Sequence, residues 1–382
     1  MNKVAEGRLD FDFIDGMRAV AAVAVAVLHA SLYTGHEGDI ARELPYLHKV
    51  LFAGNYAVSV FIVLSGFVLA LPIVRRRRLR IRKGTGSFLA RRAKRILPPY
   101  FASLLLFGLL IAAIPVLQTR QGTAWDSKIP PTIDGLIAHV LVVHNLNKEW
   151  AYQINGPAWS IATEWQLYLA LPLLILPLWR KIGPLAMLAV CLGLSAVVAV
   201  LLPTLDAGHL WFLALFAMGA IAAHIVANGV QCQYLGAATL VVLASAAGFV
   251  LIAPGPLWAS ELLTGAGITL GVVWMAKRRV AGKHSILHRV LESKPLVWLG
   301  LWSYSLYLIH SPLLGLGNLL TLHWPMSTLQ RFAFMSLVVL PMSAGVAYLF
   351  HVSVERRFIT QHQKKTEGAT SLVVEDAVSK IR

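Results

Sequence analysis

Residues 11–32, FDFIDGMRAVAAVAVAVLHASL, decide how the rest of the chain is read. From Met17 the run is mainly apolar and holds one arginine, Arg18, and one histidine, His29. A helix crossing the hydrocarbon core needs roughly 20 mostly apolar residues, and this segment supplies them. Arg18 and His29 are eleven residues apart. At about 100° per residue they share one face, with His29 about 16 Å further along the axis. Ionisable side chains inside a span are costly and by default mark function. Taken singly, Arg18 reads as a snorkelling arginine at a membrane boundary and His29 as a helix-packing residue. Their common face argues against both readings.

Working outward, the rest of the chain has the same character. Of 382 residues, 57% are hydrophobic and 14% charged, against about 25% charged in a soluble domain; mean hydropathy is +0.67. Apolar stretches near 17–33, 50–74, 97–118, 159–179, 183–203, 210–227, 234–253, 258–276, 296–320 and 330–352 predict about ten transmembrane helices. The expected fold is an all-α polytopic membrane protein built around a central polar tunnel. The spans leave no room for a soluble domain, so residues 1–358 read as one transmembrane domain and 359–382 as a charged, disordered cytoplasmic tail. The N-terminal flank carries more acids than bases ahead of the first helix, which is unlike a cleaved signal peptide. Cys191 and Cys232 fall in or beside helices and give neither a disulfide nor a metal signature.

Charge fixes the expected orientation. Net charge is +16, and residues 75–95 hold eleven Lys/Arg and no acid. With the clusters at 180–181, 277–294 and both chain ends they account for 27 of the 34 basic residues. The alternate loops hold only Arg42, Lys49, Arg120, Lys128, Lys148 and Arg331. This is the positive-inside pattern; it puts both termini in the cytoplasm and requires an even number of crossings. Residues 133–146 are apolar but short, and contain Asp134, His139 and His144. Counting them as a span would reverse the charge rule, so 133–158 reads as a re-entrant or interfacial segment. Beside membrane spans, the basic run suits anionic lipid rather than nucleic acid.

Other polar residues inside spans extend the argument. Glu164 lies in NGPAWSIATEWQLY, 155–168, and a carboxylate at that depth needs a partner such as His29 or an arginine. Ser303, Tyr307 and His310 form one polar stripe at i, i+4 and i+7 on an otherwise apolar helix. Ser65-Gly66 interrupts an apolar run and suits close helix contact. Arg92 and Arg95 sit three apart where the chain re-enters the membrane, a spacing that can grip phosphate. No metal-ligand spacing, nucleophile elbow or glycine-rich phosphate loop is present. A histidine with a carboxylate could deprotonate a hydroxyl for acyl transfer. The same groups would serve a proton-coupled transporter, and the residues alone leave both readings open.

FIDGMRAVAAVAVAVLHA at 13–30, NYAVSVFIVLSGFVLA at 55–70, RAKR at 92–95, WSIATEWQLY at 159–168, SYSLYLIHSP at 303–312 and VERRF at 354–358 occur in one order. In these motifs the chain resembles the integral-membrane acyltransferase-3 family from about Phe11 to Phe358. That family includes polysaccharide, lipopolysaccharide and peptidoglycan O-acetyltransferases and macrolide O-acyltransferases. The resemblance implies a bacterial cytoplasmic-membrane enzyme that moves an acyl group, acetyl first, from cytoplasmic acyl-CoA to a hydroxyl of a glycan or glycosylated small molecule. Acyl-CoA would be a co-substrate, with no permanently bound cofactor or metal; the partners would be membrane lipids and the acceptor, not nucleic acid. His29 would be the base or acyl relay and Glu164 would support it or the acceptor. Arg18, Arg92 and Arg95 would bind acyl-CoA, and Ser65, Trp159, Ser160, Tyr307 and His310 would line the tunnel or meet the acceptor. Many members carry a fused extracytoplasmic hydrolase-like domain. Its absence implies that this chain transfers alone or hands the acyl group to a separate protein.

Overall fold

The computed structural model describes residues 11–76, 79–231, 233–251 and 255–359. Among them every regular element is helical. The principal helices are α1 (Asp12–Leu32), α2 (Ala57–Val74), α3 (Gly84–Ala113), α4 (Ile133–Val140), α5 (Gly156–Ile182) and α6 (Pro184–Leu201). They continue with α7 (Phe212–Ala227), α8 (Leu235–Leu251), α9 (Leu257–Val280), α10 (Lys294–Leu301), α11 (Ser303–Thr321) and α12 (Thr328–Arg357).

The described residues of all ten apolar stretches are mainly helical, but they are not ten equal spans. Among the described residues seven helical stretches are long and apolar enough to cross a membrane: α1, Pro45–Val74 (which contains α2), α3, α5, α6, α9 and α12. Helix α7 has 16 residues and α8 has 17, short for a bilayer core of about 30 Å. The stretch 296–320 is divided at Trp302 into α10 and α11. Helix α4 has eight residues, about 12 Å of rise, so 133–146 does not span. The termini fall on residues 1–10 and 360–382, outside the described residues, so the tail assignment lies outside them too; Ile359 is described and buried.

Helix α1 packs against α2, α10 and α11. Glycine allows the closest of these contacts. A methyl group on Gly300 of α10 would lie 2.1 Å from the Asp15 carbonyl oxygen of α1. The α2–α7 pair is equally close. Gly66 meets the Phe216 backbone, and Gly219 meets that of Val63, as Ser65-Gly66 led us to expect. The outside is apolar: Leu185, Leu240, Leu337, Met342 and Leu349 are all exposed, the reverse of a soluble surface. Two π turns, Leu171–Ile175 in α5, which contains Pro172, and Met335–Val339 in α12, which precedes Pro341, fall where proline interrupts the normal hydrogen-bond ladder.

Candidate active site

Helix α11 contains Pro312, which has no N–H to give to the carbonyl of Leu308, four residues earlier. The side-chain amide of Asn155 donates to that carbonyl instead, at 2.8 Å. Tyr307, one residue before Leu308, donates to the Pro157 carbonyl (3.2 Å) and shares a hydrogen bond of 2.7 Å with Ser160. These bonds fasten the N-terminus of α5 to α11 and fix the stripe that carries His310.

On this frame His310 meets His29. His29 Nδ1 and His310 Nε2 are 2.8 Å apart, and His310 Nδ1 lies 2.8 Å from the Leu306 carbonyl. A carbonyl only accepts, so His310 Nδ1 carries a proton. In the neutral pair His310 Nε2 is then the acceptor and His29 Nδ1 the donor. The lone pair of His29 is left on Nε2. This orientation of a base by a second group is the arrangement that general-base catalysis requires.

The structure does not place Glu164 in that role. Glu164 accepts from Ser65 Oγ (2.7 Å) and from the Tyr168 hydroxyl (2.5 Å). It faces a cavity of about 70 Å³ that Arg18, Arg95, Ser160 and Tyr307 also line, with Asp15 and Tyr304 on its walls. The expected tunnel is therefore resolved into a charged cavity with Tyr307 on its wall and a histidine pair outside its lining. The Tyr307 and His310 ring centres are 6.0 Å apart. Trp159 is stacked on His209, centroids 4.1 Å apart, and does not line the cavity.

The arginines are also sorted. Arg18 is 4.0 Å from Asp15. Arg95 pairs with the buried Glu355 at 2.7 Å and its guanidinium lies over the Tyr304 ring; Glu355 in turn accepts from Ser305 Oγ (2.5 Å) and His351 Nδ1 (2.7 Å). Arg95 is thus clamped at the cavity wall rather than paired with Arg92 as a free fork. Arg92 is half-buried within electrostatic reach of Glu164 and Tyr168.

A family model described as an acyltransferase domain matches residues 11–351. The chain belongs to the acyltransferase-3 family. It is 26% identical over 375 residues, 90% of each chain, to the acyltransferase MdmB of Streptomyces mycarofaciens. No solved structure matches it. As an acyltransferase of this family with several spanning helices, the chain is a multi-pass membrane protein.

Sequence reading missed three residues of this acyltransferase. Asn155 and Glu355 stood inside quoted motifs, but their partners, a proline-freed carbonyl and an arginine 260 positions away, leave no local trace. Lys128, described below, sits in a loop without periodicity. Among the described residues no three His, Cys, Asp or Glu side chains are grouped to hold a metal ion.

Proposed function

We propose that this acyltransferase moves an acetyl group from acetyl-CoA to a hydroxyl of a glycan or glycosylated small molecule. The observation that carries the reading is the His29–His310–Leu306 relay, which leaves the lone pair of His29 on Nε2, with Tyr307 standing between the pair and a cavity lined by Arg18 and Arg95. The phosphates of coenzyme A suit Arg18 and Arg92, with Arg95 contributing from its clamp on Glu355. The positive-inside pattern supports donor entry from the cytoplasm at that end. The acyl thioester then extends past Ser160 and Tyr307 toward the histidines.

The acceptor hydroxyl gives its proton to His29 Nε2 as its oxygen attacks the thioester carbonyl. The tetrahedral intermediate collapses, the C–S bond breaks, and the thiolate takes the proton from His29. Charge that develops on His29 is shared with His310 through their hydrogen bond and held by the Leu306 carbonyl. Purified full-length protein given acetyl-labelled acetyl-CoA and a panel of hydroxyl acceptors is the test. Labelled ester supports the reading; acceptor crossing into vesicles without labelled product would favour a proton-coupled carrier and overturn it.

A further inference from the structure

Lys128 ends the turn Ala124–Lys128, in the loop that follows α3, and is 9% exposed. Its ammonium donates to the Ala124 carbonyl (3.3 Å) and to Ser127 Oγ (2.5 Å), and lies 5.7 Å from the Tyr152 ring centre. All of these partners are neutral. Glu37, in the loop after α1, is the acid whose field reaches it, and burial outweighs that field, bringing the ammonium down to about 8. A buried cation held by neutral groups is costly, and the cost is offset when an anion forms beside it.

The surroundings are shaped for this lysine. A methyl group on Gly156 would come 2.8 Å from Lys128 Cε and 3.2 Å from Nζ, so glycine at that position makes room for the chain. The neighbouring Asn155 is the residue tied to α11 two positions before His310. The Ile154 amide donates to the Lys128 carbonyl at 3.1 Å. One short segment therefore holds both the lysine and the histidine helix, and His29 lies within electrostatic reach of the ammonium.

We propose that Lys128 is a further catalytic residue, whose ammonium stabilises the oxyanion formed on the acyl carbonyl during transfer. The assignment rests on the base role of His29 proposed above. As the acceptor oxygen bonds to the carbonyl carbon, the π pair moves onto the carbonyl oxygen, which accepts an N–H from Lys128. When the pair returns and the C–S bond breaks, Lys128 has kept its proton; the proton of the hydroxyl travels by His29 to the thiolate.

Steady-state acetyl transfer by purified full-length Lys128→Met, Lys128→Arg and Glu37→Gln tests this. Lys128→Met should lower kcat about 100- to 1,000-fold, the usual loss for one oxyanion donor, with KM for acetyl-CoA unchanged, because the arginines lie elsewhere. Lys128→Arg should recover part of the rate. The groups facing the ammonium are His29 from α1, Glu37 from the loop after it and Tyr152 beyond the short helix Lys148–Ala151. The wild-type rate should fall as pH rises through about 8, where the ammonium loses its proton. Glu37→Gln should move that limb to lower pH and Lys128→Arg to higher pH. A folded Lys128→Met variant with kcat within threefold of wild type overturns the proposal. If that variant does not fold, an alkaline limb unmoved in both other variants overturns it. Neither result bears on whether His29→Ala is inactive, so the two readings fail separately.

Discussion

At the Arg18 end of the site charge meets charge: Arg18 with Asp15, Arg95 with Glu355, and Arg92 within reach of Glu164. At the His29 end the bonds are between neutral groups. Histidine meets histidine, histidine meets a peptide carbonyl, Tyr307 meets Ser160, and Asn155 meets Leu308. The first end can exchange its internal ion pairs for a polyanion with little change in field. The second fixes where one proton sits, which ion pairs do poorly because they attract without specifying a tautomer. The two ends suit binding and chemistry respectively, and mutations should separate them.

The largest effect is expected at the neutral end. His29→Ala should reduce kcat by about 1,000-fold or more, from the loss of general-base catalysis, while acetyl-CoA still protects the protein against heat; normal turnover would remove His29 from the mechanism. His310→Phe should lower kcat about 10- to 100-fold with little change in KM, because the ring remains but the acceptor that orients His29 is gone. A rise in KM alone would instead make His310 a binding residue. At the charged end Arg92→Ala should weaken acetyl-CoA binding about tenfold, the order of one charge-assisted bond, flatten its salt dependence and spare kcat. Isothermal titration at two salt concentrations would read this. Asn155→Ala, which strands the Leu308 carbonyl, should cost about 1–3 kcal/mol of stability, visible as a lower midpoint in thermal melting.

One smaller effect lies away from both ends. His139 and His144 are stacked, centroids 3.8 Å apart, with the Tyr100 hydroxyl against both. Burial lowers His139 to about 4 and His144 to about 3. Both are therefore neutral when folded, whereas in the unfolded chain they take up protons near 6.5. Their contribution to stability is present above about pH 6.5 and is lost as pH falls toward 4. Melting curves of His139→Phe should show a shallower acid slope than wild type; an identical slope would place the acid sensitivity elsewhere.

Much of the fold was legible because a bilayer imposes length and hydropathy on each segment. The described residues of every apolar stretch are mainly helical, and Ser65-Gly66 sits where two helices touch. What composition could not give was the break at Trp302, which separates α10 from α11, or the shortness of α7, whose Phe212, Leu215 and Phe216 are buried. For the site, the shared face of Arg18 and His29 and the stripe through Tyr307 and His310 were readable as periodicity. Their pairing was not. Glu164 looked like the partner of His29 because carboxylates are the common orienters of histidine, yet Ser65 and Tyr168 take it. Arg92 and Arg95 were readable as neighbours on one helix, but the clamp on Arg95 comes from Glu355 at the far end of the chain.

The histidine relay stops at the Leu306 carbonyl, a group with nothing to release. Excess positive charge can spread along the pair during a turnover but has no exit on that side, so each cycle must return the proton by the way it came. In the proposed reaction such a blind-ended wire resets itself: the histidines would return to the same tautomer after every turnover, and the transfer step would carry no net proton current across the bilayer.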